Sequence, residues 1–366
     1  MRFLFLEPFF GGSHRQFAEG LTAHSRHAID LLTLPARFWK WRMRSAALTF
    51  IRKCGDLGQY DGLMCSSMMS LADFKALAGQ PVPPVLVYFH ETQLTYPLAP
   101  GERPDYQFGV TDLTTALAAD QVRFNSHDHL RRFFEELTDF IRRMPDTRPK
   151  WAGNAIRSKA GVLYPGCDID ASAAHPLEPW PQPPLVVWNH RWEHDKNPEA
   201  FFDALEQVAA RGVDFRVAVL GQRYRQAPEV FKTARRRLGR RIVQYGFVDD
   251  RQEYGRWLRR GTVVVSTALQ ENFGLAVVEA VGSGCLPLLP QRLSYPELLP
   301  ADLHELFLYP DQDGLVARLA EILHRPQQFE AQRKRLADAM AAFGWERVIG
   351  DWDAVLEDLG CGGATP

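Results

Sequence analysis

The feature that most constrains this chain is the recurrence of short, largely β-branched or aromatic runs separated by helix-length amphipathic stretches. Phe3–Leu6, Ile29–Leu34, Leu63–Ser66, Val85–Phe89 and Val122–Asn125 form one series. Leu185–Asn189, Phe215–Leu220, Ile242–Tyr245, Val263–Ser266 and Leu286–Leu289 form a second. Runs this short and this apolar belong to strands covered on both faces, the kind found in parallel sheets with helical crossovers. Two series imply two doubly wound, Rossmann-like α/β domains. Between the series, residues 175–184 place five prolines in ten positions, which neither a helix nor a central strand continues across. The expected organisation is a first domain at 1–174, a stiff linker at 175–184, a second domain at 185–343 and a last segment at 344–366. Residues 312–342 read as two amphipathic helices, and Phe343-Gly344-Trp345 separates them from a final helix over Glu346–Leu359.

At 366 residues the chain exceeds one ordinary core. No window approaches the roughly 18 consecutive apolar residues of a membrane span, and Glu7 interrupts the opening apolar run too early for a secretory signal. Five cysteines, at 54, 65, 167, 285 and 361, show neither an even count nor zinc spacing, which fits a reducing, cytoplasmic setting. Charge nearly cancels, 43 Lys and Arg against 44 Asp and Glu, but unevenly. Arg37, Lys40, Arg42, Arg44, Arg52 and Lys53 lie in a segment without an acid, and from Arg223 to Arg241 eight basic residues meet Glu229 alone. Local patches on a neutral chain suit contact with a polyanion at defined places; a solvated face has the same composition.

The candidate chemistry lies at the carboxyl ends of strands, where open α/β sheets bind ligands. After the first strand, Phe9-Phe10-Gly11-Gly12 runs into Ser13-His14-Arg15-Gln16. Ser13 with Gln16 three residues on predicts a capping box, and the Gly11-Gly12 turn offers backbone N–H groups to an anion, unless it is a plain tight turn. The full glycine fingerprint of a nicotinamide dinucleotide site is missing. After the fourth strand comes the polar quartet His90-Glu91-Thr92-Gln93, in which His90 either hydrogen-bonds a substrate or caps the strand. In the second series, Asn189 ends the first strand, Arg191 and Lys196 follow it and a helix starts near Pro198; two cations beside a helix N-terminus form a diphosphate clamp. His190 and His194 have i, i+4 spacing, but the loop setting argues against a shared helical face and against zinc. Glu271 precedes the helix opened by Asn272-Phe273-Gly274-Leu275, and Glu279 lies in its second turn among Ala276, Val277, Val278, Ala280 and Val281. A carboxylate so surrounded requires a partner, and a ribose diol is one natural partner.

The Glu271-x7-Glu279 pair, with Arg191, Lys196 and Leu163-Tyr164-Pro165-Gly166-Cys167-Asp168, resembles the retaining glycosyltransferases of the large GT-B family 4. The amino-terminal half is more specific. Glu7-Pro8-Phe9-Phe10-Gly11-Gly12-Ser13-His14, the segment Leu32–Arg44 and Tyr88–Pro97 resemble the tRNA-queuosine α-mannosyltransferase family, and the resemblance spans essentially the whole chain. Thr92 departs from the pattern, which has Asn there.

The resemblance implies a GT-B fold, two Rossmann-like domains facing across a cleft with the last helix crossing back to the first. It also implies retaining transfer of mannose from GDP-mannose to the cyclopentene-diol of queuosine at the wobble position of tRNA(Asp). No metal or other cofactor is expected, since Arg191 and Lys196 would neutralise the departing diphosphate. On this reading Arg191, Lys196, Glu271 and His90 carry catalysis. Gly11, Gly12, Asn189, Phe273, Gly274, Leu275 and Glu279 join the two cations in holding the donor. Ser13, His14, Arg37, Trp39, Lys40, Trp41, Arg42, Arg44, Glu91 and Gln93 meet the tRNA. From the residues themselves, Phe38, Trp39 and Trp41 interleaved with those cations suit unpaired nucleotides better than a duplex, and the alternative is an amphipathic helix that packs its tryptophans into the core. A different nucleotide sugar, a lipid, glycan or metabolite acceptor, a sugar-nucleotide epimerase and a non-catalytic RNA-binding protein are the competing readings.

Overall fold

The computed structural model describes residues 1–98, 101, 103–169, 177–222 and 227–362. The chain forms two compact units, Met1–Gly166 with Trp345–Pro366, and Cys167–Gly344. The first holds six strands, β1 (Arg2–Phe10), β2 (Ala28–Pro35), β3 (Gly62–Ser66), β4 (Val85–Phe89), β5 (Gln121–Phe124) and β6 (Ala160–Val162), in the order β2-β1-β3-β4-β5-β6. The second holds β7 (Leu185–Trp188), β8 (Arg216–Val219), β9 (Ile242–Tyr245), β10 (Val263–Val265), β11 (Leu286–Pro290) and β12 (Leu308–Tyr309), in the order β12-β11-β10-β7-β8-β9. All neighbours pair in parallel. Each order reverses direction once, between β1 and β3 and between β7 and β10, and such switch points open a crevice at the strands' carboxyl ends. Every expected strand is present, and β6 and β12 are additional.

Period-two alternation divides the first unit's core between the two faces of its sheet. Leu4, Leu6, Leu63, Cys65, Val85, Val87 and Phe89 point to one side, and Phe3, Phe5, Met64, Leu86 and Tyr88 to the other. The second side is closed by the helix Trp345–Gly360, which contributes Trp345, Val348, Trp352, Leu356 and Leu359, spaced three or four apart on one stripe. Polar contacts fix its position: Trp352 Nε1 donates to Tyr164 O at 3.0 Å, and Ser25 Oγ to Asp353 Oδ1 at 2.6 Å. The units part at Gly166 rather than at 174: Cys167 N donates to Phe343 O at 2.8 Å, which ties Cys167 into the second unit. Of the proline-rich stretch, residues 175 and 176 lie outside the described residues. Among the described residues no helix is long and apolar enough to cross a membrane.

Trp345 sits in a slot with glycine on two sides. A Cβ at Gly166 would lie 2.1 Å from its ring, and one at Gly20 would lie 2.3 Å away. Gly166→Ala is therefore expected to destabilise the chain by about 1–3 kcal/mol through overpacking. Urea unfolding checks this, and an unchanged midpoint would show that the indole moves aside freely.

The expected capping box does not form. The helix Gly12–His24 begins one residue after β1 ends, with extended Gly11 as its N-cap and no side-chain cap. Because β1 runs on to Phe10, the chain turns at the glycines, which leaves Ser13 and Gln16 inside the helix. Gly12 has φ +53°, and a Cβ on Gly11 would lie 2.5 Å from that of Ala36, so both positions require glycine.

Candidate active site

In the second unit, the loops after β7 and β10 are joined through Lys196. A short turn over His194–Lys196 and left-handed Asn197 lead into the helix Pro198–Ala210, with proline at its first position, where a missing N–H costs nothing. Lys196 Nζ donates to Gln270 O at 2.7 Å and pairs with Asp195 Oδ2 at 3.1 Å and Glu271 Oε2 at 3.3 Å. Burial alone would lower the ammonium's pKa, but Glu271 and Asp195 outweigh it and hold the value above the ordinary lysine range. Lys196 is thus a fixed, permanent cation. Arg191 is half-exposed and pairs with Glu193 at 3.0 Å. His190 is buried, and burial followed by the Lys196 charge pushes its pKa down to about 4, so it is a neutral structural ring. Neither His190 nor His194 belongs to a group of three potential metal ligands among the described residues. A Cβ at Gly221 would lie 1.5 Å from His190 O, so only glycine permits this approach of the two loops.

The helix Leu275–Gly282 opens at Gly274 with φ +104°, a conformation suited to glycine. The side chain of Phe273 is buried against Phe343, and Ser294 Oγ donates to its carbonyl at 2.8 Å. Glu279 is 8% exposed and has protein partners: Arg251 Nη2 donates to Oε1 at 3.0 Å and Tyr254 Oη donates to Oε2 at 3.1 Å. Asn189 Nδ2 donates to Tyr254 Oη at 3.0 Å and to Ala276 O at 2.7 Å.

In the first unit, the ends of β1, β3 and β4 meet. Glu7 is fully buried; its Oε1 accepts from Phe9 N at 2.7 Å and Ser66 Oγ at 3.1 Å, and its Oε2 lies 3.2 Å from His14 Nδ1. The His14 and His90 rings are 4.2 Å apart, and His90 packs edge-on against Tyr88 and Phe17. Burial, then the proximity of His14 and His129, keeps the His90 pKa well below the usual range, so this imidazole is neutral. Glu7, His14 and His90 form the one group of three potential metal ligands among the described residues, with ligand atoms within 4.8 Å of one another. Within the trio, Glu7 Oε1 is taken up by Phe9 N and Ser66 Oγ, and Oε2 faces the His14 ring.

The loop bearing His90 is locked from three directions. Asn125 Nδ2 donates to His90 O at 2.9 Å, and Ser67 Oγ to Glu91 O at 2.9 Å. Thr92 Oγ1 and Gln93 N both donate to Asp112 Oδ2 at 2.7 Å. Thr92 is therefore a buried structural contact to the helix Tyr106–Ala118. Burial raises the Asp112 pKa to about 7, against the opposing hydrogen bonds from Thr92 and Gln93. Between the unfolded value near 4 and the folded value near 7, the folded state keeps a proton that the unfolded chain has lost, so this group's stabilising contribution falls as pH rises through that window. Asp112→Asn is expected to be more stable relative to wild type at pH 8 than at pH 5, by up to about 3 kcal/mol. Thermal melts at the two values check it; parallel profiles would show that Asp112 titrates normally.

Comparisons with known proteins decide the family. Residues 2–167 match the family described as tRNA-queuosine alpha-mannosyltransferase N-terminal, and residues 174–340 match Glycosyl transferases group 1. The tRNA-queuosine alpha-mannosyltransferase of Drosophila melanogaster is 35% identical over 350 residues, covering 90% of this chain and 89% of that protein. The chain belongs to the tRNA-queuosine alpha-mannosyltransferase family. A GDP-mannose-dependent alpha-(1-6)-phosphatidylinositol dimannoside mannosyltransferase of Mycobacterium tuberculosis is 25% identical over 198 residues, 51% of this chain and 50% of that protein. Two solved structures share the fold: a sucrose-phosphate synthase from Thermosynechococcus elongatus (TM-score 0.75, 17% identity, covering 99% of this chain and 100% of that one), and Anabaena HepE with UDP and glucose (TM-score 0.68, 15% identity, 98% and 100%). This member of the mannosyltransferase family is a glycosyltransferase of GT-B fold.

Within this family member, the helix Trp39–Lys53 divides its aromatic residues between two environments. Trp39 packs with Met43, Met68 and Phe108, so it belongs to the core, whereas Trp41 is 74% and Phe38 72% exposed. Arg44 donates to Thr111 Oγ1 at 3.0 Å and Gln107 Oε1 at 3.1 Å, and Arg42 to Pro35 O at 3.4 Å, so both are engaged within the unit. Arg37 and Lys40 are exposed, and the Lys40 ammonium lies 5.4 Å from the centre of the Trp39 ring. Ser13 is exposed at the helix start, and Glu91 and Gln93 are half-buried in the locked loop. In the second basic stretch, residues 223–226 lie outside the described residues; farther on, Lys232, Arg237 and Arg241 pair with Glu229, Glu206 and Asp214, as on a solvated face. Among the residues that the structure places in these networks, Glu7, Asp112, Asp195, Arg251 and Tyr254 escaped assignment from sequence. Glu7 alone left a signal, a carboxylate inside a run of buried strand residues.

Proposed function

We propose that this chain transfers mannose, with retention of configuration, from GDP-mannose to the cyclopentene-diol of queuosine at the wobble position of tRNA(Asp), in the cytoplasm and without a metal ion. The observation that carries the reading is that the family-specific region, residues 2–167, contains both the locked His90 loop and the outward Phe38, Lys40 and Trp41. A general sugar transferase needs no aromatic-cationic face, but an enzyme acting on an unpaired anticodon nucleotide does.

In this reading the donor lies against the second unit, with Glu279 on its ribose and Glu271 on the transferred hexose. The N–H groups around Phe273–Leu275 meet its phosphates. Lys196 and Arg191 neutralise the charge that gathers on the leaving diphosphate as the bond to the sugar breaks. On the first unit, His90, neutral and fixed, together with His14, Glu91 and Gln93, meets the diol of the acceptor. Phe38 and Trp41 stack on flanking bases while Arg37 and Lys40 contact phosphates.

The test is incubation of purified protein with GDP-mannose and queuosine-containing tRNA in excess EDTA, followed by mass spectrometry of the tRNA nucleosides. The expected result is a hexose-sized mass gain on queuosine alone. Modification of another nucleoside or no transfer with any tRNA would overturn the acceptor, and transfer only after adding Mg²⁺ or Mn²⁺ would overturn metal independence.

A further inference from the structure

The network around Glu279 points beyond the carboxylate itself. Arg251 and Tyr254 lie three residues apart at the start of the helix Arg251–Arg260, so one helical face supplies both donors, one to each oxygen. Asn189, at the end of β7, fixes the tyrosine through its hydroxyl and bonds Ala276 O in the helix that carries Glu279. Three elements thus converge on one carboxylate. Arg251 supplies the opposite charge that a carboxylate buried to this degree requires, and its side chain is 55% exposed, so it reaches solvent as well. A cis-diol is recognised by two acceptor oxygens in a fixed orientation. A carboxylate free to rotate presents them only part of the time and loses that freedom on binding.

We propose that Arg251 and Tyr254, braced by Asn189, are positioning residues that orient Glu279 to read both hydroxyls of the nucleotide ribose and so set the preference for ribo- over deoxyribonucleotides. The inference rests on the reading of Glu279 as the ribose contact, and the experiment separates the two. Equilibrium binding of GDP and 2′-deoxy-GDP to the full chain is measured by calorimetry, with UDP and 2′-deoxy-UDP as a second pair. Wild type is expected to favour the ribonucleotide about 10-fold or more, the worth of a hydrogen bond to a charged group. Tyr254→Phe and Arg251→Gln are each expected to reduce this ratio about 3-fold or more, and Arg251→Lys to restore part of it. Should Tyr254→Phe fail to fold, the half-exposed Arg251 variants carry the test.

If Glu279→Gln leaves the ratio at its wild-type value, or wild type binds neither nucleotide pair, the ribose reading fails and the inference with it. If Glu279→Gln collapses the ratio while Tyr254→Phe and Arg251→Gln preserve it, the ribose reading stands and the positioning role is overturned. Affinity lost equally for both members of a pair, with the ratio unchanged, marks a merely structural role and counts in the same way.

Discussion

Lys196→Ala is expected to lower turnover by about 100-fold or more, and by more than Arg191→Ala does. A preorganised cation at the developing charge of a transition state is worth several kcal/mol, and Lys196 is held by a carbonyl and two carboxylates. Its removal acts twice. The charge on the departing diphosphate loses its counterion, and Glu271 loses the bond that fixes it. Arg191 is half-exposed and paired with Glu193, so its loss leaves the Lys196–Glu271 pair in place. The effect belongs in the chemical step, so single-turnover rates at saturating donor are the measurement. Melting curves identify any contribution from misfolding, since Thr267 Oγ1 also donates to Lys196 O at 2.9 Å and holds the same loop. Turnover within threefold of wild type in both variants would remove the clamp from the mechanism.

How much of this site was legible in the sequence follows from the range of each interaction. The strands were readable because continuous burial on both faces leaves an apolar run; β12 has two residues and β6, Ala160-Gly161-Val162, is only half-buried throughout, so neither leaves such a run. Arg191, Lys196 and Glu271 were visible as candidates because they lie in the loops after β7 and β10, and Glu279 because it is a carboxylate in an otherwise apolar helix. Their partners were not. Arg251 and Tyr254 sit 28 and 25 residues before Glu279 in a helix whose composition matches any solvated one, so only the fold reveals the contact. Asp112 is 20 residues from Thr92, inside a helix. The Trp39–Trp41 contrast was legible only as two alternatives, because a spacing of two puts residues on different helical faces without showing which face is buried.

Trp41→Ala combined with Arg37→Ala and Lys40→Ala is expected to weaken tRNA binding by about 10-fold to more than 100-fold while leaving donor binding unchanged. Base stacking contributes about 1–3 kcal/mol per ring, and each phosphate contact to a single strand adds about 0.7 to the salt-dependence slope. The structure makes this a clean test, because Trp41 is 74% exposed whereas Trp39 packs with Phe108, so replacing Trp39 would confound binding with folding. Arg42 and Arg44 are poorer choices for the same reason. Filter binding across salt concentrations separates the two terms: the lysine and arginine changes alone flatten the slope, and the tryptophan change alone lowers affinity at every salt concentration. Unchanged affinity of a folded triple variant would show that this face is merely solvated, and would move attention to the arginines of the helix Val230–Leu238.

The return of Trp345–Gly360 to the first unit has a consequence for how the protein is made. Phe3, Phe5, Phe17, Leu86 and Tyr88 leave the ribosome early, but the stripe that covers them is encoded after the whole of Cys167–Gly344. During elongation the newborn chain therefore carries an open apolar face while a complete second unit is synthesised and is able to fold. The order of completion is reversed relative to the order of synthesis: the half that emerges first closes last. A stop codon just before Trp345 would spare one unit's sequence while leaving the other without one wall of its core.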